Sequence, residues 1–322
     1  MSPLIWIIDE EWPDYEEEKR ILAERYPQAD IRFSGYDFEH DLNAFGYQAD
    51  LILTQIYTSI TAETINKLER CKGIAVYGGG YDRVDIKAAK EKGIKVTNVQ
   101  GYCAEDIADY IIAAMYTFNK CLTEYKDSLK DGKWGAQAIL KIAPRISETT
   151  LFIIGCGTIG RAVAKRVQLL GVRVTGYDPF LTKEQLEASF IQPVSMEEGL
   201  KTADYVSMNV KYTQETKHLL KKEHFELMKP TAYFINTSRG GTVAEQDLIE
   251  AVREKKIAGA CLDVITNEPP TVSETILSVE NIIVTPHISY LSAQSYADLK
   301  RRTVENGLCM YEGKEPADWV NP

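Results

Sequence analysis

Short apolar runs alternate with stretches of helical period along most of the chain. Apolar runs at 4–8, 49–53, 73–76 and 94–96 predict strands, and residues at three- and four-residue spacing predict helices over 14–26, 61–70 and 85–92. A longer helix is expected over 104–125, where Ile107, Ile111, Ala114, Met115 and Phe118 share a face. A polar, irregular stretch at 126–149 interrupts the pattern. The alternation restarts with a strand at 151–154, a helix at 159–170 and a strand at 172–176. Further strands are expected at 205–208, 232–235, 258–262 and 282–284, and helices at 221–228, 244–255 and 291–313. Strand–helix alternation of this kind predicts parallel, doubly wound sheets, and the central break predicts two α/β units of unequal size.

A chain of 322 residues is long enough for two such domains. Charge changes the picture by exclusion. Lys and Arg total 37 against 47 Asp and Glu, a formal net charge of −10. An acidic surface repels phosphate backbones and anionic membranes, so nucleic-acid and membrane partners are not expected. No stretch approaches the roughly 20 apolar residues that span a bilayer. The N-terminal run lacks a preceding positive charge and meets acids at once, so it reads as a first strand and not as a signal peptide. Cysteines at 71, 103, 121, 156, 261 and 309 form no CxxC pair, and no His/Cys cluster has metal-ligand spacing. Reduced thiols in a cytoplasmic protein and no bound metal are the expectation.

The first chemistry-bearing motif is Gly155-Cys-Gly157-Thr158-Ile159-Gly160, directly after one expected strand and opening a helix. In that context GxGxxG is a dinucleotide loop: Gly155 allows the tight turn, Gly157 lets the backbone approach a pyrophosphate, and Gly160 permits close helix–strand packing. The helix N-terminus presents free N–H groups to the phosphates. Asp178 follows eighteen residues beyond Gly160, at the end of the next strand. Its carboxylate suits the adenosine ribose hydroxyls and repels a 2′-phosphate, which favours NAD over NADP. Cys156, inside the loop, reads as a small filler.

Three more residues sit just past expected strands. Arg239 lies in Asn236-Thr-Ser-Arg-Gly-Gly, Glu268 in Asn267-Glu-Pro-Pro, and His287 in Thr285-Pro-His. Ligands of open α/β sheets bind at the carboxyl ends of the strands, so an arginine, a carboxylate and a histidine are expected at one edge. His40, His218 and His224 stand in no motif and read as surface or helix residues.

From about residue 73 onward the chain resembles the D-isomer-specific 2-hydroxyacid dehydrogenase family. The resemblance rests on Tyr-Gly-Gly-Gly-Tyr-Asp-Arg-Val-Asp (77–85), Ala-Ala-Lys-Glu-Lys-Gly-Ile-Lys-Val-Thr-Asn-Val (88–99) and Gly132-Lys133-Trp134. It also rests on the Gly155 loop, 236–241, Glu268-Pro269-Pro270 and Thr285-Pro286-His287. The segment 98–109 is similar to the branch related to C-terminal-binding-protein corepressors. The resemblance implies interconversion of a small 2-oxo acid and its D-2-hydroxy acid with NAD. An NAD(H)-sensing, corepressor-like binding protein with weak dehydrogenase activity is the alternative.

For the first activity, Arg239 would hold the substrate carboxylate and polarise the ketone. His287 would be the general acid and base, and Glu268 would orient its ring and support its protonated form. The resemblance adds Gly79 and Gly80 as a backbone clamp on the substrate carboxylate and Tyr102 in the substrate pocket. It places Thr158 and Ile159 at the pyrophosphate, and Asp178 at the ribose. Val210, Lys211, Thr216, Thr237 and Ser238 are further NAD contacts, with Asp263 near the nicotinamide amide. The expected organisation is a discontinuous substrate domain, 1–100 and 292–322, and an NAD domain, 101–291, with the cleft between them holding the chemistry. Hinges are expected near 99–101 and 290–292, and a homodimer interface along the long helix and 126–149. The chain departs from the family's frequent residues at Asp109-Tyr110, Glu148, Phe152, Asn209, Gln100 and Lys211.

Overall fold

The computed structural model describes residues 2–322. They divide into two compact units: one runs through Tyr102 and resumes over Ser292–Pro322, the other is Cys103–Leu291.

The first unit is a five-stranded sheet of order β2-β1-β3-β4-β5, parallel throughout. Its strands are β1 (Leu4–Ile8), β2 (Asp30–Ser34), β3 (Leu51–Gln55), β4 (Gly73–Tyr77) and β5 (Lys95–Thr97). Helices α1 (Glu16–Arg25), α2 (Glu39–Ala44), α3 (Ala62–Lys67) and α4 (Ile86–Glu91) connect them. Strands β1, β3 and β4 are buried along their whole length. Helices cover both faces, which is why these strands read as continuous apolar runs and not as alternation. Strand β2 and helix α2 escaped the hydrophobic pattern. Strand β2 is Asp-Ile-Arg-Phe-Ser, an edge strand largely in contact with solvent, so it needs few apolar residues.

Helix α12 (Ala293–Tyr311) returns to this unit and packs on α1, β3 and β4. It carries Lys300, which is 3% exposed, into a pocket made by the rings of Trp12, Tyr15 and Tyr296. Lys300 donates to the carbonyl of Asp14 at 2.7 Å and lies 3.3 Å from the carboxylate of Glu18 on α1. Burial raises the Glu18 carboxyl above its ordinary value, and Lys300 opposes that rise.

The second unit begins with α5 (Ala104–Lys120) and α6 (Leu122–Ser128). The single helix expected over 104–125 is therefore two. Cys121 adopts the left-handed conformation, φ 47°, and closes α5 through its N–H on Thr117 O. No Gly or Pro marks that stop in the sequence. The sheet has seven strands in the order β12-β11-β10-β9-β6-β7-β8, again all parallel. They are β6 (Thr150–Ile154), β7 (Arg173–Tyr177), β8 (Gln192–Pro193), β9 (Tyr205–Met208), β10 (Tyr233–Asn236), β11 (Gly259–Leu262) and β12 (Ile282–Val284). The intervening helices are α7 (Thr158–Val167), α8 (Lys183–Glu187), α9 (Met196–Thr202), α10 (Lys222–Phe225) and α11 (Glu245–Arg253). The two α/β parallel-sheet units are Rossmann-like, as the alternation of elements implies.

Two departures from the family pattern have local explanations. Phe152 is fully buried in β6, and the room for its ring comes from α9: a Cβ on Gly199 would lie 2.3 Å from the Phe152 ring. Asp109 faces Arg166 of α7 at 2.9 Å, and Glu105 joins the same guanidinium at 2.6 Å. Among the described residues no helix is long and apolar enough to cross a membrane.

Candidate active site

In the second sheet the strand order reverses between β6 and β9, and ligands of doubly wound sheets bind at such a switch point. The loop leaving β6 there is Gly155–Gly160. Gly155 has φ +87°, and a Cβ on it would lie 2.7 Å from the carbonyl oxygen of Asn209. A Cβ on Gly160 would lie 2.4 Å from the carbonyl oxygen of Gly155, so this glycine sets how closely α7 approaches the strand. A Cβ on Gly157 would meet nothing within 4 Å among the described residues. That open face is what a pyrophosphate approaching the backbone requires. No side chain caps α7, which leaves its first N–H groups, including those of Thr158 and Ile159, for an external acceptor.

Asp178 follows β7. Its Oδ2 accepts the N–H of Cys156 at 2.9 Å and its Oδ1 the N–H of Phe180 at 3.0 Å. Both bonds hold a half-buried carboxylate beside the glycine loop. The loop, the uncapped helix and this carboxylate fit an adenine dinucleotide. Cys156 is fully buried, and burial pushes its thiol up to about 12.

The other expected cofactor residues are distributed along β9, β10 and β11. Val210 and Lys211 follow β9. The hydroxyl of Thr216 donates to the carbonyl of Lys211 at 2.6 Å, within its own loop. Thr237 is buried and its hydroxyl has no partner among the described residues, whereas the hydroxyl of Ser238 donates to Met208 O at 2.8 Å. Asp263 is 1% exposed, and its carboxylate accepts the hydroxyl of Thr285 at 2.7 Å, the N–H of Ile288 at 2.9 Å and the N–H of Ser289 at 2.8 Å.

Arg239, Glu268 and His287 stand on three adjacent strand ends. Strand β10 ends at Asn236, whose Oδ1 accepts the N–H of Ser238 at 3.0 Å and whose Nδ2 donates to Arg239 O at 3.1 Å. This Asx turn holds the Arg239 backbone, and Thr242 Oγ1 donates to the same carbonyl at 2.7 Å. The guanidinium of Arg239 donates to Ser238 O at 2.8 Å. The next residue, Gly240, packs against the backbone of Ile265, where a built Cβ would stand only 2.0 Å from that chain. Ile265 in turn donates its N–H to Glu268 Oε1 at 3.0 Å.

Glu268 Oε2 lies 2.9 Å from His287 Nδ1, with both side chains largely buried. An ionised carboxylate can only accept, so Nδ1 carries the proton in this pair. His287 adopts φ +54°, and its N–H reaches Asp263 O at 3.0 Å and Thr285 O at 2.9 Å. A left-handed histidine is uncommon and persists where its surroundings hold it.

Gly79, Gly80 and Tyr102 belong to the first unit, the two glycines just past β4. The carbonyl of Gly79 accepts Asn98 Nδ2 at 2.7 Å, and the carbonyl of Asn98 accepts Asn306 Nδ2 at 3.2 Å. Asn98, Asn236 and Thr285 therefore shape the surroundings of candidate residues, and the sequence reading assigned them no role. Asn98 and Asn236 could have been suspected, because Asn at a strand end favours side-chain bonds to nearby backbone.

The NAD-binding domain model of the D-isomer specific 2-hydroxyacid dehydrogenases matches residues 112–289. The chain belongs to that family. A glyoxylate reductase of Korarchaeum cryptofilum is 32% identical over 274 residues, covering 84% of this chain and 82% of the relative. A hydroxypyruvate reductase of Thermotoga maritima is 34% identical over 250 residues, covering 77% of this chain and 80% of the relative. The structure of a D-lactate dehydrogenase from Aquifex aeolicus, complexed with NAD and lactic acid, superposes with a TM-score of 0.87 at 27% identity and covers 99% of both chains. This member of the family is an NAD-dependent dehydrogenase.

Proposed function

We propose that the chain reduces a small 2-oxo acid of the glyoxylate or hydroxypyruvate type to its D-2-hydroxy acid. The observation that carries this reading is the 2.9 Å pair of Glu268 and His287, next to the strand end that bears Arg239.

NADH, when bound at the Gly155 loop and Asp178, supplies the hydride. Arg239 takes the substrate carboxylate with its planar fork and draws electron density from the neighbouring ketone. Nε2 of His287 gives its proton to the carbonyl oxygen as that oxygen becomes negative, and recovers one in the oxidation direction. Glu268 keeps Nδ1 protonated and the ring in place. The N–H groups of Gly79 and Gly80 are assigned to the substrate carboxylate, and Tyr102 to the wall around its side chain. Val210, Lys211, Thr216 and Thr237 are assigned to NAD. Ser238 and Asp263 are assigned to NAD as well: the Ser238 hydroxyl donates within the protein and can still accept, and the Asp263 carboxylate has acceptor capacity beyond its three internal donors.

The test is NADH oxidation with glyoxylate, pyruvate, hydroxypyruvate and branched 2-oxo acids. Turnover with one of the smaller acids is expected. Absence of turnover with all of them, in protein shown to bind NADH, defeats the reading.

The second unit also supports self-association. Trp134 is 78% and Ile142 92% exposed, and Leu122, Leu129, Ile139 and Leu140 are exposed in the same segment. A second copy covering this surface makes a homodimer, and Trp134→Glu with Ile142→Glu is expected to halve the mass measured by light scattering. The six free cysteines support a reducing, cytoplasmic setting.

A further inference from the structure

We infer that Tyr110 is a positioning residue for His287, acting through Thr285 and Asp263; this rests on the role proposed above for His287. Tyr110 lies on α5, far from His287 in sequence. Its hydroxyl is 2.5 Å from Thr285 Oγ1 and 3.3 Å from Cys261 Sγ.

Counting protons gives these contacts a direction. The Asp263 carboxylate has three donors: the Thr285 hydroxyl and the N–H groups of Ile288 and Ser289. Thr285 has one hydroxyl proton, and the carboxylate takes it. The short contact with Tyr110 therefore has Tyr110 as donor. Its oxygen is then free to accept from Cys261, whose thiol burial keeps protonated. Every proton in the chain Cys261, Tyr110, Thr285 points toward one buried carboxylate.

That carboxylate anchors the loop on both sides of the histidine. It grips residue 285 before His287 and residues 288 and 289 after it, while the Asp263 carbonyl takes the N–H of His287 itself. The anchors hold His287 in its left-handed conformation, a state that is unfavourable for a residue with a Cβ and persists only where its surroundings hold it. Tyr110 stops the Thr285 hydroxyl from rotating away from Asp263. Burial raises the Tyr110 hydroxyl well above its usual range, so it stays a donor over any working pH. Phe would fill the same space without the donor.

The experiment compares Tyr110→Phe, Thr285→Val and Thr285→Ser by steady-state kinetics and by NMR of 13C/15N-histidine-labelled protein. The four histidines are assigned by single replacement. In Tyr110→Phe kcat is expected to fall roughly 3–10-fold, and in Thr285→Val roughly 10–100-fold. Thr285→Ser should stay within about two-fold of the wild type, and KM for NADH should hardly move. The His287 ring signals should broaden or show a second tautomer in the first two variants and not in Thr285→Ser. Wild-type kcat in Tyr110→Phe, whatever Thr285→Val does, or failure of Thr285→Ser to restore kcat, overturns the assignment. If the wild type turns over no 2-oxo acid, the functional reading fails, and NMR alone decides the positioning claim. His287 signals in Tyr110→Phe and Thr285→Val that coincide with the wild type then refute it.

Discussion

Oε2 of Glu268 meets Nδ1 of His287 at 2.9 Å while Oε1 of the same carboxylate takes the N–H of Ile265 at 3.0 Å. One carboxylate thus sets the tautomer of the ring and is itself held by the loop that carries it. Glu268→Gln keeps the size but offers an amide N–H, which favours the tautomer with the proton on Nε2. A loss in kcat on the order of 10–100-fold is expected, with KM for NADH unchanged. An equal loss in NADH affinity would point to a disturbed cofactor site instead.

Under the proposed reading, Asp178 sets a preference for NADH over NADPH. Its two hydrogen bonds fix a negative charge beside the glycine loop, where a 2′-phosphate would also stand. Asp178→Ala is expected to lower the ratio of kcat/KM for NADH over NADPH on the order of 100-fold, because the like-charge clash disappears. Measuring both cofactors at saturating 2-oxo acid checks this. An unchanged ratio would mean that the preference lies elsewhere.

The Cys156 thiol, raised to about 12 by burial, has almost no thiolate at neutral pH. It should resist iodoacetamide at pH 7 while the half-exposed Cys309 reacts, as read by peptide mass spectrometry. Rapid labelling of Cys156 in folded protein would contradict the closed packing behind the phosphate loop.

Much of this architecture was legible in the sequence, and the gaps have physical reasons. Buried parallel strands advertise themselves as apolar runs, and the glycine loop, Asp178, Arg239, Glu268 and His287 sit in motifs short enough to read. Strand β2 was invisible because an edge strand needs no apolar run. The break between α5 and α6 was invisible because Cys121 is an unusual residue for a left-handed stop. Asp263 stood out from the family resemblance, but only the fold reveals that three internal donors occupy its carboxylate. Tyr110 and Thr285 lie 175 residues apart, so no local pattern could join them.

Lys300 and Glu18 give a stability prediction. Lys300→Met leaves the Glu18 carboxylate, 0% exposed, without its cation. A loss of about 3–5 kcal/mol is expected in urea denaturation near pH 7.5. The folded Glu18 carboxyl is raised above its unfolded value by burial. Its contribution is therefore full below the unfolded value and is lost as pH rises through the folded one. Acidifying from about pH 7.5 to about pH 5 should recover part of the deficit in Lys300→Met, where no cation opposes the rise. A deficit that grows on acidification would contradict the buried-carboxylate account.

The central claim is that Nε2 of His287 moves the proton in reduction of a 2-oxo acid. The most direct measurement compares kcat for NADH oxidation with glyoxylate or hydroxypyruvate in wild type and His287→Asn, with NADH affinity measured separately by fluorescence. A fall in kcat on the order of 100- to 10,000-fold at unchanged NADH affinity is the expected result. Wild-type kcat in His287→Asn would contradict it.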